Sequence, residues 1–260
     1  MIQIILSADV HPQPGPNSKQ MQNSRPGQDP EENHSAASVI SQHANSCIKI
    51  AHLNIRSLKS REHRFLIQHT IEDHDFDIFT ISETWLDSTV DNQAVQIPGF
   101  VFFRQDRGER KAGGGLAVYI RDTFKATLLE HASGISDENF QSKFDTANQF
   151  LLGTVYRPPG TTLAVSHCLS RSLLDMLLHG NDIIILGDLN CNILDDTVDS
   201  RTLKELYASF NLTQMVKEPT RITATKRSLI DAIITTDRTL AESCSVITSS
   251  ISDHNLVEVP

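Results

Sequence analysis

Ile183-Ile184-Ile185-Leu186-Gly187-Asp188-Leu189-Asn190 is the stretch from which the fold class is read. A four-residue apolar run rich in β-branched side chains reads as a strand buried on both faces. Gly187 permits a sharp turn at its end. Asp188 and Asn190, two positions apart, then point the same way. A carboxylate beside an amide at the mouth of a buried sheet suits a phosphate-and-metal site. The plainer alternative is a strand followed by an Asx-turn. The neighbouring segments decide between them.

The chain has 260 residues, enough for one large domain with a full core. Its hydrophobic content of 39% is low for a chain ordered throughout, which predicts an unstructured part. The net charge of -9 argues against a general nucleic-acid coat protein, but not against a DNA enzyme with a local basic groove. Cys47, Cys168, Cys191 and Cys244 form neither a CxxC pair nor zinc spacing and read as reduced thiols. No apolar stretch reaches the roughly 20 residues of a membrane helix, so no membrane partner is expected.

Residues 1–46 differ from the rest. Ile2 to Leu6 is apolar but too short for a secretory core and lacks a basic start. Asp9-Val10-His11-Pro12-Gln13-Pro14-Gly15-Pro16 resembles the ribosome-skipping peptides of viral polyproteins and some retroelements, with His11 and Gln13 departing from their pattern. Ser18 to Ser46 is rich in Gln, Asn, Ser, Pro and Glu, and cannot bury enough apolar surface to order itself. Residues 1–46 are therefore expected to be a disordered tail, and 47–260 the folded domain.

Within 47–260, strands alternate with a few helices. Ile48 to Leu53 reads as a strand delivering Asn54-Ile55-Arg56-Ser57-Leu58. Lys59 to His74 reads as an amphipathic helix, and Asp77 to Ile81 as a strand delivering Ser82-Glu83-Thr84-Trp85-Leu86. Phe100 to Phe103 and Leu116 to Ile120 are further strands. Gly113-Gly114-Gly115 between them lacks the spacing of a nucleotide cradle and reads as a hairpin turn. Phe150 to Tyr156 ends abruptly at Arg157-Pro158-Pro159. Thr162 to His179 carries a leucine stripe and reads as a helix. Arg201 to Phe210 is a shorter helix, Leu229 to Thr235 a strand containing Asp231, and Ser252-Asp253-His254 closes the series.

Most of these strands hand off to a polar cluster. Taken singly, Asn54 is equally a helix cap, Glu83 a surface carboxylate and Tyr156 an interfacial core tyrosine. Asp231 is harder to dismiss, because a carboxylate in an apolar strand needs a partner. His254 is the natural one: a carboxylate on one ring nitrogen fixes the tautomer and leaves the other nitrogen available.

The ordered set Asn54, Glu83, Tyr156, Asp188 with Asn190, Asp231, and Asp253-His254 resembles the endonuclease/exonuclease/phosphatase superfamily of magnesium-dependent phosphodiesterases, which includes deoxyribonuclease I and the abasic-site endonucleases. Asn54-Ile55-Arg56-Ser57-Leu58, Glu83-Thr84-Trp85-Leu86, the triple glycine, Tyr156-Arg157-Pro158-Pro159, Gln214 to Arg221 and Ser252-Asp253-His254 are similar to the endonuclease domain of non-LTR (LINE-type) retrotransposons. The resemblance implies an α+β fold, a four-layer α/β/β/α sandwich like that of deoxyribonuclease I, with the site at one end between the sheets. It implies Mg²⁺, with Mn²⁺ as a substitute, on Glu83, Asn54 and Asp253. Asp188 would orient or deprotonate the attacking water, and Asn190 would hold the phosphate or that water. His254, oriented by Asp231, would contact the phosphate and is the rival base, and Tyr156 would hydrogen-bond the phosphate. The implied product is a DNA nick with a free 3′-hydroxyl. A reverse transcriptase is implied in the parent element but is not in this chain. Action on chromosomal DNA would place the protein in the nucleus.

DNA contact needs local positive charge. Lys217, Arg221, Lys226 and Arg227 offer it, and so do Arg104, Arg107, Arg110 and Lys111, diluted by Asp106 and Glu109. A solvated loop face is the plainer reading of both. Residues 134–148 are polar where the family runs a core strand, which predicts a missing or distorted sheet edge. The last strand is expected to be short. These departures keep a catalytically silent relic that only binds as a second reading. A phosphatase acting on phospholipid or inositol phosphate is a third, which Thr84-Trp85-Leu86 and Pro219-Thr220-Arg221 oppose.

Overall fold

The computed structural model describes residues 2–7, 48–106, 113–129, 149–160, 166–178, 182–241 and 243–260. In chain order the elements are β1 (Ile2–Ser7), β2 (Ile50–Asn54), α1 (Arg61–His74), β3 (Ile78–Ser82), β4 (Phe100–Gln105), β5 (Leu116–Arg121) and β6 (Lys125–Leu128). There follow β7 (Gln149–Tyr156), α2 (Ser166–Leu178), β8 (Asp182–Asp188), α3 (Val198–Ser209), β9 (Thr213–Gln214), β10 (Arg221–Ile222), β11 (Arg227–Ser228), β12 (Asp231–Thr235), β13 (Ser245–Ile247) and β14 (Leu256–Val259). One six-stranded sheet runs β6-β1-β7-β8-β12-β9 and the other β13-β14-β2-β3-β5-β4, with β10-β11 as a separate hairpin. Pairing is antiparallel except for β2 with β3 and β7 with β8.

Strand alternation builds the layers. Ile50, Ile78, Val118, Ile120, Leu152, Ile184, Leu186, Ile233 and Val257 come from both sheets and form one cluster between them. The residues of opposite parity face outward. Ala51, Leu53, Phe79, Ile81 and Tyr119 pack with Ile67 and Ile71 of α1. Leu151, Ile183, Ile185 and Ile234 pack with Leu173 and Met176 of α2 and Leu203 and Tyr207 of α3. The result is the four-layer α/β/β/α arrangement. α1 and α3 begin on side-chain caps: the Ser60 hydroxyl accepts the His63 N–H before α1, and Thr197 and Ser200 form a reciprocal capping box on α3.

The parity that builds the central core also places the polar residues. Along β2 the inward positions are Ile50, His52 and Asn54; along β3, Ile78, Thr80 and Ser82; along β8, Ile184, Leu186 and Asp188. Register aligns Asn54 with Ser82, Tyr156 with Asp188, and Asp188 with Asp231. One end of the inter-sheet space is therefore apolar-walled deeper in and polar at its mouth.

Two expectations are corrected. The unstructured tail does not include Ile2–Ser7. That segment is a strand, antiparallel to both β6 and β7: four apolar residues, Ile2, Ile4, Ile5 and Leu6, lie in an extended run whose backbone pairs with a ladder on each side. Asp231 is the first residue of its strand, not an interior one. β6 was not anticipated. The skipping-like residues 9–16, the stretch 134–148, Cys47, Arg107, Arg110 and Lys111 lie outside the described residues. Of the described cysteines, Cys191 and Cys244 are free. No helix among the described residues is long and apolar enough to cross a membrane.

Candidate active site

Asp188 is the last residue of β8 and is fully buried. Its Oδ2 accepts from Asn54 Nδ2 at 2.8 Å and Asn190 Nδ2 at 3.1 Å, and its Oδ1 accepts the Asn190 N–H at 2.7 Å. The Asx-turn and the polar cluster, alternatives in the sequence, are thus one object. Asn190 is held at φ 45 to close it. Gly187 does more than turn the chain: a Cβ there would run into the Val155 carbonyl oxygen, so glycine is what lets β8 approach β7.

Asp231, opposite Asp188 in the ladder, receives His254 Nδ1 at 2.9 and 3.1 Å to its two oxygens. Asp188, Asp231 and His254 are all buried, and each offers a ligand atom within 4.8 Å of the others. Burial first, then the neighbouring Asp231 charge, push the Asp188 carboxyl up to about 7, against the pull of His254 and the Asn190 and Asn54 donors. For His254 burial opposes the imidazolium, but Asp231, Asp188 and Asp253 outweigh it and raise the ring above its ordinary value.

Glu83 follows β3 at φ 55. Tyr156 donates its hydroxyl to Glu83 Oε1 at 2.8 Å, and Trp85 Nε1 donates to Oε2 at 3.1 Å. Behind this turn, Gly114 accepts the Trp85 N–H, so the triple glycine supports the Glu83 segment from the strand beside it. Asp253 lies between two arginines: Arg221 Nε is 2.7 Å from Oδ2 and Arg56 Nε 3.1 Å from Oδ1. The three residues expected to hold metal are thus differently engaged. Asn54 bonds Asp188, Glu83 bonds Tyr156, and Asp253 is ion-paired. The titratable donors that the fold groups together are instead Asp188, Asp231 and His254.

Of the expected DNA contacts, Arg221 is in this ion pair, Lys226 pairs with Asp195 at 3.3 Å, Arg227 stands exposed on β11, and Lys217 lies on the loop after β9. A groove of about 520 Å³ runs beside the site, past Asn190, Cys191, Thr197, Asp199, Arg221 and Lys226.

Several residues that hold the site had no assigned role in the sequence. Arg157 is buried and sends Nε to the Leu189 carbonyl at 2.6 Å and Nη2 to the Asn190 carbonyl at 3.1 Å, and its own carbonyl accepts from Asn190 Nδ2. It welds the end of β7 to the Gly187-Asn190 turn. The buried Thr220 hydroxyl accepts the N–H groups of Ile230 and Asp231, fixing the start of β12. Ser252 Oγ donates to the Asn54 carbonyl and accepts the His254 N–H, tying the last turn to β2. Beneath Asn54, the Thr80 hydroxyl donates to the Ala51 carbonyl, so it accepts from His52 Nδ1, and His52 Nε2 accepts from Ser82. Burial holds this imidazole neutral, near 4. The signal for Arg157 and Thr220 was present, since each sits inside a quoted motif. Ser252 likewise sits inside Ser252-Asp253-His254, whereas His52 carried no signal beyond polarity in an otherwise apolar strand.

A family model described as "Endonuclease/Exonuclease/phosphatase family" matches residues 51–254. No curated protein matches the chain. Among solved structures, the abasic-site endonuclease of Leishmania major is 15% identical with a TM-score of 0.60, over 81% of this chain and 86% of that one. The endonuclease domain of TRAS1, a telomere-specific non-LTR retrotransposon, is 12% identical with a TM-score of 0.57, over 81% and 96%. The 3′ phosphatase NExo from Neisseria, bound to product DNA hairpin, is 17% identical with a TM-score of 0.57, over 82% and 98%. These likenesses concern the fold.

Proposed function

Because the chain belongs to the endonuclease/exonuclease/phosphatase family, we propose that it is a Mg²⁺-dependent phosphodiesterase that nicks DNA to leave a 3′-hydroxyl, and that it derives from a non-LTR retrotransposon. The observation that carries this reading is the convergence at one mouth of Asn54-Asp188-Asn190, Tyr156-Glu83 and Asp231-His254 from five separate strand ends and the last turn. The set is complete, which favours an active enzyme over a silent relic. The short motifs shared with retrotransposon endonucleases, and the TRAS1 likeness, favour DNA over a phospholipid or inositol phosphate.

The donor chemistry fits a hard divalent cation. The donors proposed for it, Glu83, Asn54 and Asp253, are all oxygens, and beside them two buried carboxylates, Asp188 and Asp231, face a single imidazole. Glu83, Asn54 and Asp253 would hold the ion. When bound, Mg²⁺ supplies charge neutralisation at the phosphate and the leaving oxygen. The chain's own residues do the rest. Asp188, with its carboxyl near neutrality, takes the proton of the attacking water and is held in line by Asn54 and Asn190. His254, its ring raised by Asp231 and the neighbouring carboxylates against the effect of burial, donates to a phosphate oxygen. The Tyr156 hydroxyl, now on Glu83, is positioned for a second.

The test is conversion of supercoiled plasmid to open circle by the full chain with Mg²⁺. Asp188→Ala and His254→Ala are each expected to lower the rate by about 10²-fold or more. A polymerase should extend the nick without prior end repair. Nicking that is absent, or equal in all three proteins, would overturn the reading.

A further inference from the structure

Asp253 carries two cations. Arg56 approaches it with two prongs, Nε at 3.1 Å from Oδ1 and Nη2 at 3.1 Å from Oδ2, while Arg221 Nε donates to Oδ2 at 2.7 Å. These arginines lie 165 positions apart, and each is tied through its backbone to a site residue. Arg56 sits at φ 52, a conformation that non-glycine residues seldom hold, with its N–H directed to Asn54 Oδ1 at 3.3 Å. Arg221 forms a backbone bridge with His254, and the Ile222 N–H donates to the Asp253 carbonyl. The triad is thus built into the mouth of the site. It is also partly solvated, with side-chain exposures of 46%, 25% and 33% for Arg56, Asp253 and Arg221. Ion pairs with that much water are weak and exchange partners readily.

We propose that the Arg56-Asp253-Arg221 triad couples cation binding to DNA binding. This rests on the reading that the site takes Mg²⁺ and DNA. Without the cation, Asp253 engages both guanidinium groups, Arg56 by two nitrogens and Arg221 by Nε, and competes with phosphate for them. When Asp253 is shared with a divalent cation, the arginines lose their attraction to it and are repelled by the ion. Their forks turn to the phosphate oxygens, which they match in shape. By linkage, DNA then tightens cation binding by the factor with which the cation tightens DNA.

The experiment measures binding, not turnover, in a full-length Asp188→Asn background that leaves DNA intact. Duplex affinity is taken across a salt series with Mg²⁺ and with EDTA. Mg²⁺ affinity is read from the fluorescence of Trp85, the one tryptophan, whose Nε1 bonds Glu83. Mg²⁺ should tighten the duplex about tenfold, and the duplex should tighten Mg²⁺ equally. Adding Asp253→Asn should free both arginines: in EDTA the duplex binds more tightly, the salt slope steepens by roughly 0.9 per arginine, and the Mg²⁺ effect vanishes. Arg56→Gln with Arg221→Gln should reverse that gain. In the absence of DNA, this double variant should bind Mg²⁺ several-fold more tightly than an Arg227→Gln control. An unchanged salt slope, or Mg²⁺ binding equal to that of the control, overturns the triad. If wild type nicks plasmid but shows no coupling, the triad alone fails. If Trp85 shows no response to Mg²⁺ and no nicking occurs, the underlying reading fails.

Discussion

Asp188 is a carboxyl that the fold protonates more readily than water does, and this has a sign. Its native value near 7 exceeds the 3.8 of an unfolded aspartate, so between those values the folded state binds the extra proton. Stability is therefore fully present at the acid end of this window and is lost as pH rises through it. His254, raised above 6.5, adds a loss of the same sign at the upper end. The carboxyl of Asp87, held down near 2 by Lys59 and Thr89, loses its contribution only below pH 4, outside the window. His52, pushed down to about 4 by burial, runs the other way between pH 4 and 6.5 and offsets part of this fall, so the Asp188 share is read against a variant: in EDTA, wild type should lose more of its urea midpoint than Asp188→Asn between pH 5 and pH 7.5. Asp188→Asn should flatten that fall, as should saturating Mg²⁺ if the cation compensates the carboxylate. A pH dependence equal in wild type and Asp188→Asn would contradict the assignment of burial as the dominant cause at Asp188.

At the scale of elements, two positions carry most of the geometry. Gly187→Ala would drive a methyl into the Val155 carbonyl, so β7 and β8 must part where Tyr156 and Asp188 lie opposite one another. The expected cost is on the order of 2–4 kcal/mol by denaturant melt, with nicking lost even where the protein folds. Removing residues 1–7 should leave β6 and β7 without the strand between them. It should lower the melting temperature by several degrees, since about 1 kcal/mol corresponds to roughly 2–4 °C in a chain of this size. A truncated protein that melts with the full chain would argue that β1 is dispensable.

The same two elements mark what the sequence made legible. The apolar runs of β2, β3, β5 and β8 were legible as buried strands, but a run apolar on both faces does not say which face is inward, so a mouth shared by Asn54, Asp188 and Asp231 was legible only through the family resemblance. The pattern of Ile2–Leu6 was visible too, but local periodicity cannot say that its partners are Lys125–Leu128 and Gln149–Tyr156. The ion pairs of Asp253 were unreadable for a similar reason: Arg56 reaches it only through a left-handed residue that no propensity announces.

For the whole molecule, the net charge of -9 means that DNA must be drawn to a local field against the general one. The β10-β11 hairpin carries Arg221, Lys226 and Arg227 to the rim of the site, where Lys226 is already partnered by Asp195. Replacing Arg227 with alanine should weaken duplex binding uniformly across sequences and reduce the salt slope by about 1. Lys226→Ala should do less, because its charge is partly spent within the protein. A filter-binding salt series distinguishes the two.

The strand wedged between β6 and β7 also sets a clock. Ile2 pairs with Thr154, so on the ribosome the first strand exists long before the residues it needs. At roughly 5–20 residues per second, the wait is on the order of 10 s. Throughout it, Ile2-Gln3-Ile4-Ile5-Leu6 is an unpaired, largely apolar edge of the nascent chain, the kind of segment that seeks any open ladder. The yield of the protein therefore depends on how well this segment is shielded until Gln149–Tyr156 has emerged.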